Sequence, residues 1–184
     1  MKSLVHRTLA AVLFAVALPA AAQVSVVGCI YDSTTAQITD DPNRCPTDRK
    51  LDIVSIRTSW TSSTTIGSAT IGAGAGKVQS APFIITKNLD RTSPGLFVDV
   101  TTGRHLRNVL IAVFDTNNRG NLRRVFTFLL DTVFVSSLEF DAADSRQRGA
   151  QPLDVVSFAY AKLTIKDETS GVNTAFDFTR NAVE

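Results

Sequence analysis

Val125-Phe126-Thr127-Phe128-Leu129-Leu130-Asp131-Thr132-Val133-Phe134-Val135 is the stretch that settles the fold class. β-branched and aromatic residues dominate it, and such side chains suit a pleated, half-buried surface. A second run agrees. From Val155 to Ile165, Val156, Phe158 and Tyr160 share one face, and Val155, Ala159, Ala161, Leu163 and Ile165 share the other. A period of two is that of a strand. Upstream, Val54, Ile56, Thr58 and Trp60 alternate with Ser55, Arg57 and Ser59. Arg107 to Asp115 holds an apolar run, Val109 to Phe114, that reads as buried on both faces. Val78 to Lys87 is a further extended segment, in which Pro82 indicates an edge or a bulge.

Breakers separate these strands at 67–76, at Asn117-Asn118-Arg119-Gly120 and at 141–152. One short helix is predicted. Ser93 is its expected N-cap, Pro94 its first helical residue and Gly103 its left-handed end. Leu96, Phe97 and Val100 are expected to face the core. Several strands with one small helix predict a mainly β fold, a barrel of two packed antiparallel sheets.

The first 22 residues read as an export signal. Lys2, His6 and Arg7 form a basic start, Thr8 to Leu18 an apolar stretch, Pro19 a break and Ala20-Ala21-Ala22 a small-residue cleavage motif. Cleavage is expected between Ala22 and Gln23. The apolar stretch is too short to span a bilayer core of ~30 Å as a helix, so no stable membrane anchor is expected after cleavage. Loss of Lys2 and Arg7 lowers 19 basic residues to 17, equal to the 17 acidic ones. Nucleic-acid binding therefore has no compositional support. Cys29 and Cys45 are the only cysteines. In an oxidising compartment such a pair is expected to form a disulfide, the alternative being two free thiols. The expected organisation is a signal peptide at 1–22, an N-terminal strand and Cys-bearing loop at 23–50, a barrel at 51–167 and a tail at 168–184.

Catalytic and cofactor patterns are weak. His105 is the single histidine beyond the signal segment, and no partner spacing for a metal site accompanies it. The run Gly72-Ala73-Gly74-Ala75-Gly76-Lys77 fails as a phosphate loop, because the first glycine position falls on Ile71 and Val78 follows the lysine. Asp40-Asp41 and Asp141 with Asp144 lie in polar loops, and Ser136-Ser137 lack a recognisable base. No catalytic residue, cofactor or metal is expected.

Four blocks carry a family resemblance. They are Asp52 to Trp60; Gly76 to Lys87 with Asp90-Arg91-Thr92-Ser93-Pro94; Thr102-Gly103-Arg104-His105-Leu106; and Phe128 to Ser137 with Pro152 to Leu163. In this order and spacing they resemble Hcp, the haemolysin-coregulated protein that forms the inner tube of the type VI secretion system. The resemblance implies a β-barrel flanked by one helix, a homohexameric ring that can stack into a tube, and no catalytic residue. It also implies a secretion spike protein or small effectors as further partners. His105 falls on a motif position and is implied to be structural, at the helix end. The segment Thr61 to Gly76, with Thr61, Ser62, Ile66, Ile71, Gly72 and Gly76, resembles the family's extended subunit-contact loop. Two features depart from the family: the export signal, and the Cys-bearing segment from Gln23 to Lys50, which could block stacking if pinned at a ring face. They motivate an alternative, an exported barrel that binds a peptide, a glycan or an envelope protein. Either reading places the mature chain in the periplasm or outside the cell.

Overall fold

The computed structural model describes residues 24–32, 44–63, 77–116, 121–141 and 151–184. Ten strands and one helix follow in chain order: β1 (Val24–Tyr31), β2 (Lys50–Arg57), β3 (Trp60–Ser62), β4 (Val78–Ser80), β5 (Phe83–Asn88), α1 (Ser93–Thr102), β6 (His105–Thr116), β7 (Leu122–Asp141), β8 (Leu153–Asp167), β9 (Asn173–Asp177) and β10 (Ala182–Val183). The main sheet runs β10-β9-β8-β5-β2-β1-β6-β7, and β7 pairs again with β8. That last pairing closes six strands, β8-β5-β2-β1-β6-β7, into a barrel. All of its pairings are antiparallel. Closure removes the free edges that an open sheet would present.

The stretch from Val125 to Val135 lies within the longest strand of this barrel. β7 is 20 residues long and β8 is 15, and they pair from Phe126↔Asp167 to Asp141↔Leu153. Their inward residues, among them Leu130, Val133, Val156 and Phe158, are fully buried with Ile85 and Phe83 from β5. Gly28 of β1 also belongs to this face. A Cβ there would stand 3.1 Å from Ile53 Cδ1 and 3.3 Å from Leu51, so the close approach of β1 to β2 needs the missing side chain.

Alternation fails in β2 for a physical reason. Leu51 and Ile53 point inward, but the register shifts between Ile53 and Ser55. A bulge inserts one extra residue and turns the following side chains over. Val54, next after the inward Ile53, is exposed, and the bulge brings Ile56 rather than Ser55 to the core side. The β6 run is buried on both faces, as its composition predicts. Val109 and Ile111 enter the barrel core, and Leu110 enters a smaller cluster outside it with Cys29, Tyr31 and Cys45.

Helix α1 corrects three expectations. Thr92, not Ser93, precedes the helix, and Ser93 is its first residue, so Pro94 is the second. The Ser93 hydroxyl does not cap the helix because a buried lysine and carboxylate claim it, as described below. Phe97 is exposed, whereas Leu96 is buried and Val100 packs on the core. At the other end Gly103 is left-handed, φ 62°, a conformation only glycine takes without strain. His105 does not cap the helix either. It opens β6 opposite Phe134, and the two rings lie 5.2 Å apart. The C-terminal residues after Asp167 form β9 and β10, which extend β8 beyond the point where β5 leaves it.

Candidate assembly surface

The β3–β4 hairpin stands outside the closed sheet. Trp60 pairs with Ser80, Thr61 with Gln79 and Ser62 with Val78. All three residues of β3 are exposed. Two side-chain bonds clamp the hairpin to the barrel. Trp60 Nε1 donates to Tyr160 Oη at 3.0 Å, and the Val78 amide donates to Asn181 Oδ1 at 2.9 Å. Between the clamps lies an apolar groove of about 230 Å³, lined by Trp60, Val78, Leu163, Ile165, Phe176 and Phe178 together with Thr174. It forms because β8 carries its inward residues, Leu163 and Ile165, past the end of β5 and onto β9. Of the expected subunit-contact residues, Thr61 and Ser62 project here; Ile66, Ile71, Gly72 and Gly76 lie outside the described residues, as do Ala22 and Gln23.

A second surface lies along β7. Beyond Phe134, where pairing with β6 ends, β7 runs on to Asp141 with β8 on one side and, among the described residues, no strand on the other. Phe140 on this stretch is 60% exposed, and Leu122, Phe126 and Phe134 are exposed elsewhere on the strand. Phe97 and Val98 add apolar surface on α1.

Beneath α1 the barrel holds a buried ionic lock. Lys87 on β5 and Asp154 on β8 are register partners, and both are fully buried. Lys87 Nζ lies 2.9 Å from Asp154 Oδ2 and 2.9 Å from Asp90 Oδ1, and it donates to the Ser93 hydroxyl at 3.0 Å and the Asn88 carbonyl at 2.8 Å. Ser93 Oγ in turn donates to Asp154 Oδ2. One cation thus ties β5, β8 and the start of the helix together. Burial works to raise the Asp90 carboxyl, but hydrogen bonds from Thr92 and Lys87 outweigh it and hold the group below its ordinary value. In the sequence Lys87, Asp90 and Ser93 belong to one motif that does not by itself disclose this role. Their spacing was the available signal; Asp154 is too distant in sequence to have joined them.

A second buried carboxylate, Asp99, sits on the inner side of α1. Arg104 Nη2 reaches its Oδ1 at 2.5 Å and Arg49 Nη1 its Oδ2 at 3.7 Å. Burial raises its proton affinity above the ordinary value despite both arginines. Cys29 and Cys45 form a disulfide with Cα atoms 5.7 Å apart. Among the described residues no group of three or more His, Cys, Asp or Glu side chains could hold a metal ion. The ionic groups found here bind one another and the ends of strands, which is an architectural arrangement.

The fold is thus a closed six-stranded barrel that packs one helix and carries a projecting hairpin. A family model described as "Type VI secretion system effector, Hcp" matches residues 46–166, and the chain belongs to this family. The major exported protein of Pseudomonas aeruginosa is 27% identical over 110 residues, 58% of this chain and 64% of that protein, so the match spans just under two thirds of the relative. A crystal structure of an Hcp protein superposes with a TM-score of 0.68 at 20% identity, covering 83% of this chain and 99% of the other. A mutant Hcp1 protein from the E. coli EAEC 042 pathovar gives 0.66 at 22%, covering 84% and 98%.

Proposed function

We propose that this chain is an exported structural subunit that closes on itself into a homohexameric ring, with stacking of rings into a tube as the further step. The observation that carries the reading is the division of the surface. The barrel is closed, so association must use what projects from it: the β3–β4 hairpin, the one-sided stretch of β7 at Phe140, and the apolar outer side of α1. Head-to-tail contacts between two different patches of one chain generate a ring when the rotation closes. The role is mechanical and non-enzymatic, in keeping with a family of structural tube proteins. The export signal places the mature chain in the periplasm or beyond, and a secretion spike protein or small effectors are its candidate partners.

The test is the native mass of residues 23 to 184 purified under oxidising conditions, with electron microscopy of the same sample. Six-membered rings or tubes are expected. A monomer at every concentration overturns the proposal and leaves an exported binding barrel, for which the apolar groove would be the first place to seek a ligand.

A further inference from the structure

Outside the barrel, one small apolar cluster is held together by the disulfide. Cys29 and Tyr31 of β1 and Leu110 of β6 lie on the outer face of the sheet, all at most 2% exposed, and Leu129 of β7 packs beside them. Cys45 covers this face and is itself 7% exposed. The chain then turns through Pro46 to Arg49, where the Arg49 amide donates to the Pro46 carbonyl at 2.9 Å and the Ile30 amide to the Arg49 carbonyl at 3.1 Å.

Arg49 looks two ways. Its Nη2 donates to Asp32 at 3.0 Å, and its Nη1 reaches the fully buried Asp99 of α1 at 3.7 Å. A cleft of about 240 Å³ separates this turn from the helix, lined by Ile30, Asp48, Arg49, Thr92, Leu96 and Asp99 among others. The charge contact therefore spans the cleft between the turn and the helix.

We propose that the Cys29–Cys45 disulfide is a redox-set staple: its state decides whether the outer face at Tyr31 and Leu110 is covered, and Arg49 relays that state to helix α1. The chemistry is thiol–disulfide exchange with a dithiol. One thiolate of the dithiol attacks Sγ of Cys45, the less buried of the two residues, and displaces Cys29 as its thiol. The second thiol of the dithiol then displaces Cys45. The protein disulfide gains two electrons and two protons, and the dithiol is oxidised to its own disulfide. Once the cross-link is gone, nothing covalent holds Cys45 over the cluster. Arg49 keeps its backbone bond to Ile30 but loses the support of the Pro46–Asp48 turn, so the reach of its side chain to Asp99 weakens and Asp99 depends more on Arg104. A reducing compartment and an oxidising one thus produce two states of one surface and one helix. The inference is independent of whether the chain forms rings.

Amide hydrogen exchange on residues 23 to 184, oxidised and after reduction by excess dithiothreitol, tests it. Reduction is expected to raise exchange across 45–50 and α1 by on the order of tenfold more than across β5 and β8, which lose only the protection that the global fall in stability removes. Cys45→Ser should match the reduced protein without reductant. Arg49→Gln should raise α1 exchange in the oxidised protein, and reduction should then add nothing more at α1 while still opening 45–50. If α1 is indifferent to reduction and to Cys45→Ser, the relay is wrong. If β5 and β8 lose protection in step with 45–50, the disulfide is only a global stabiliser and the proposal falls.

Discussion

Replacing Lys87 by Met removes the cation from the lock under α1 and leaves Asp154 charged in a fully buried position. At 2.9 Å and an effective dielectric constant of about 20, the Lys87–Asp154 attraction is about 6 kcal/mol. Against this stands a desolvation penalty of several kcal/mol for each ion. The intact pair is therefore close to neutral in net stability, while either half alone is costly. Lys87→Met should cost ~3–5 kcal/mol. The loss is deepened because Asp154 Oδ1 has no hydrogen bond and Oδ2 would keep only Ser93. Asp154→Asn should cost less, since Lys87 retains Asp90, Ser93 and the Asn88 carbonyl. The double variant removes both charges and keeps an acceptor for Ser93. It should be less destabilised than the sum of the singles by about 2–3 kcal/mol, the upper part of the range for contacting pairs. Urea unfolding followed by circular dichroism measures all four corners of the cycle. Additivity within ~0.5 kcal/mol, or a loss below ~1 kcal/mol for Lys87→Met, would refute the account of a buried pair whose partners depend on each other.

Three further outcomes are expected. Reducing the disulfide, which joins residues 16 apart, should lower stability by ~3 kcal/mol through the freed unfolded chain; a midpoint unchanged on reduction would mean that the bond adds no constraint. Gly103→Ala forces a Cβ into a left-handed position, φ 62°, and should cost ~1–2 kcal/mol by thermal unfolding, although no atom obstructs the new methyl group. Stability should also vary with acidity in two opposed ways. Burial raises the Asp99 carboxyl, and also that of Asp131 despite Lys162 nearby, so their stabilisation is complete below the ordinary carboxylate range and is lost as pH rises through the raised folded values. Asp90 is held below its ordinary value, so its stabilisation is present above that value and is lost as pH falls through the lowered one. Acidification from neutrality should first strengthen and then weaken the fold, and Asp99→Asn should flatten the first limb in a urea series at stepped pH.

What the sequence disclosed divides along the line between local pattern and distant pairing. β7, β6 and β8 were legible as strands because period-two alternation and continuous apolar runs are local signals, read within a dozen residues, but alternation set Leu163 opposite Val156 and Phe158, whereas all three are buried in one core. The left-handed end at Gly103 was legible for the same reason. The error at Ser93 arose because a capping preference is a local average, whereas this hydroxyl is claimed by Lys87 and by Asp154, 61 residues away. The parting of Val54 and Ile56 onto different faces was hidden by a bulge, which leaves no mark in composition. Phe97 misled because α1 buries only a narrow side, at Ser93, Leu96 and Asp99, two of whose three members are polar. Asp99 itself was illegible, since its meaning depends on Arg49 and Arg104 arriving from opposite directions along the chain.

The doubly buried β6 run and the cysteine pair answer a single physical question. A barrel strand needs one apolar face; Leu110 and Ala112 give β6 a second, and both are at most 1% exposed. Something outside the barrel must cover that face. At Leu110 it is Cys45, tied to Cys29 on the neighbouring strand in register with Leu110 itself. Cys29 and Leu110 thus form one cross-strand row, and the disulfide extends that row away from the sheet. A subunit that must keep this face dry after leaving a reducing compartment can rely on a covalent tie where a small cluster of four buried residues would hold only weakly. The outer apolarity of β6 and the cysteine pair are therefore one feature of this chain, and removing either should expose the other.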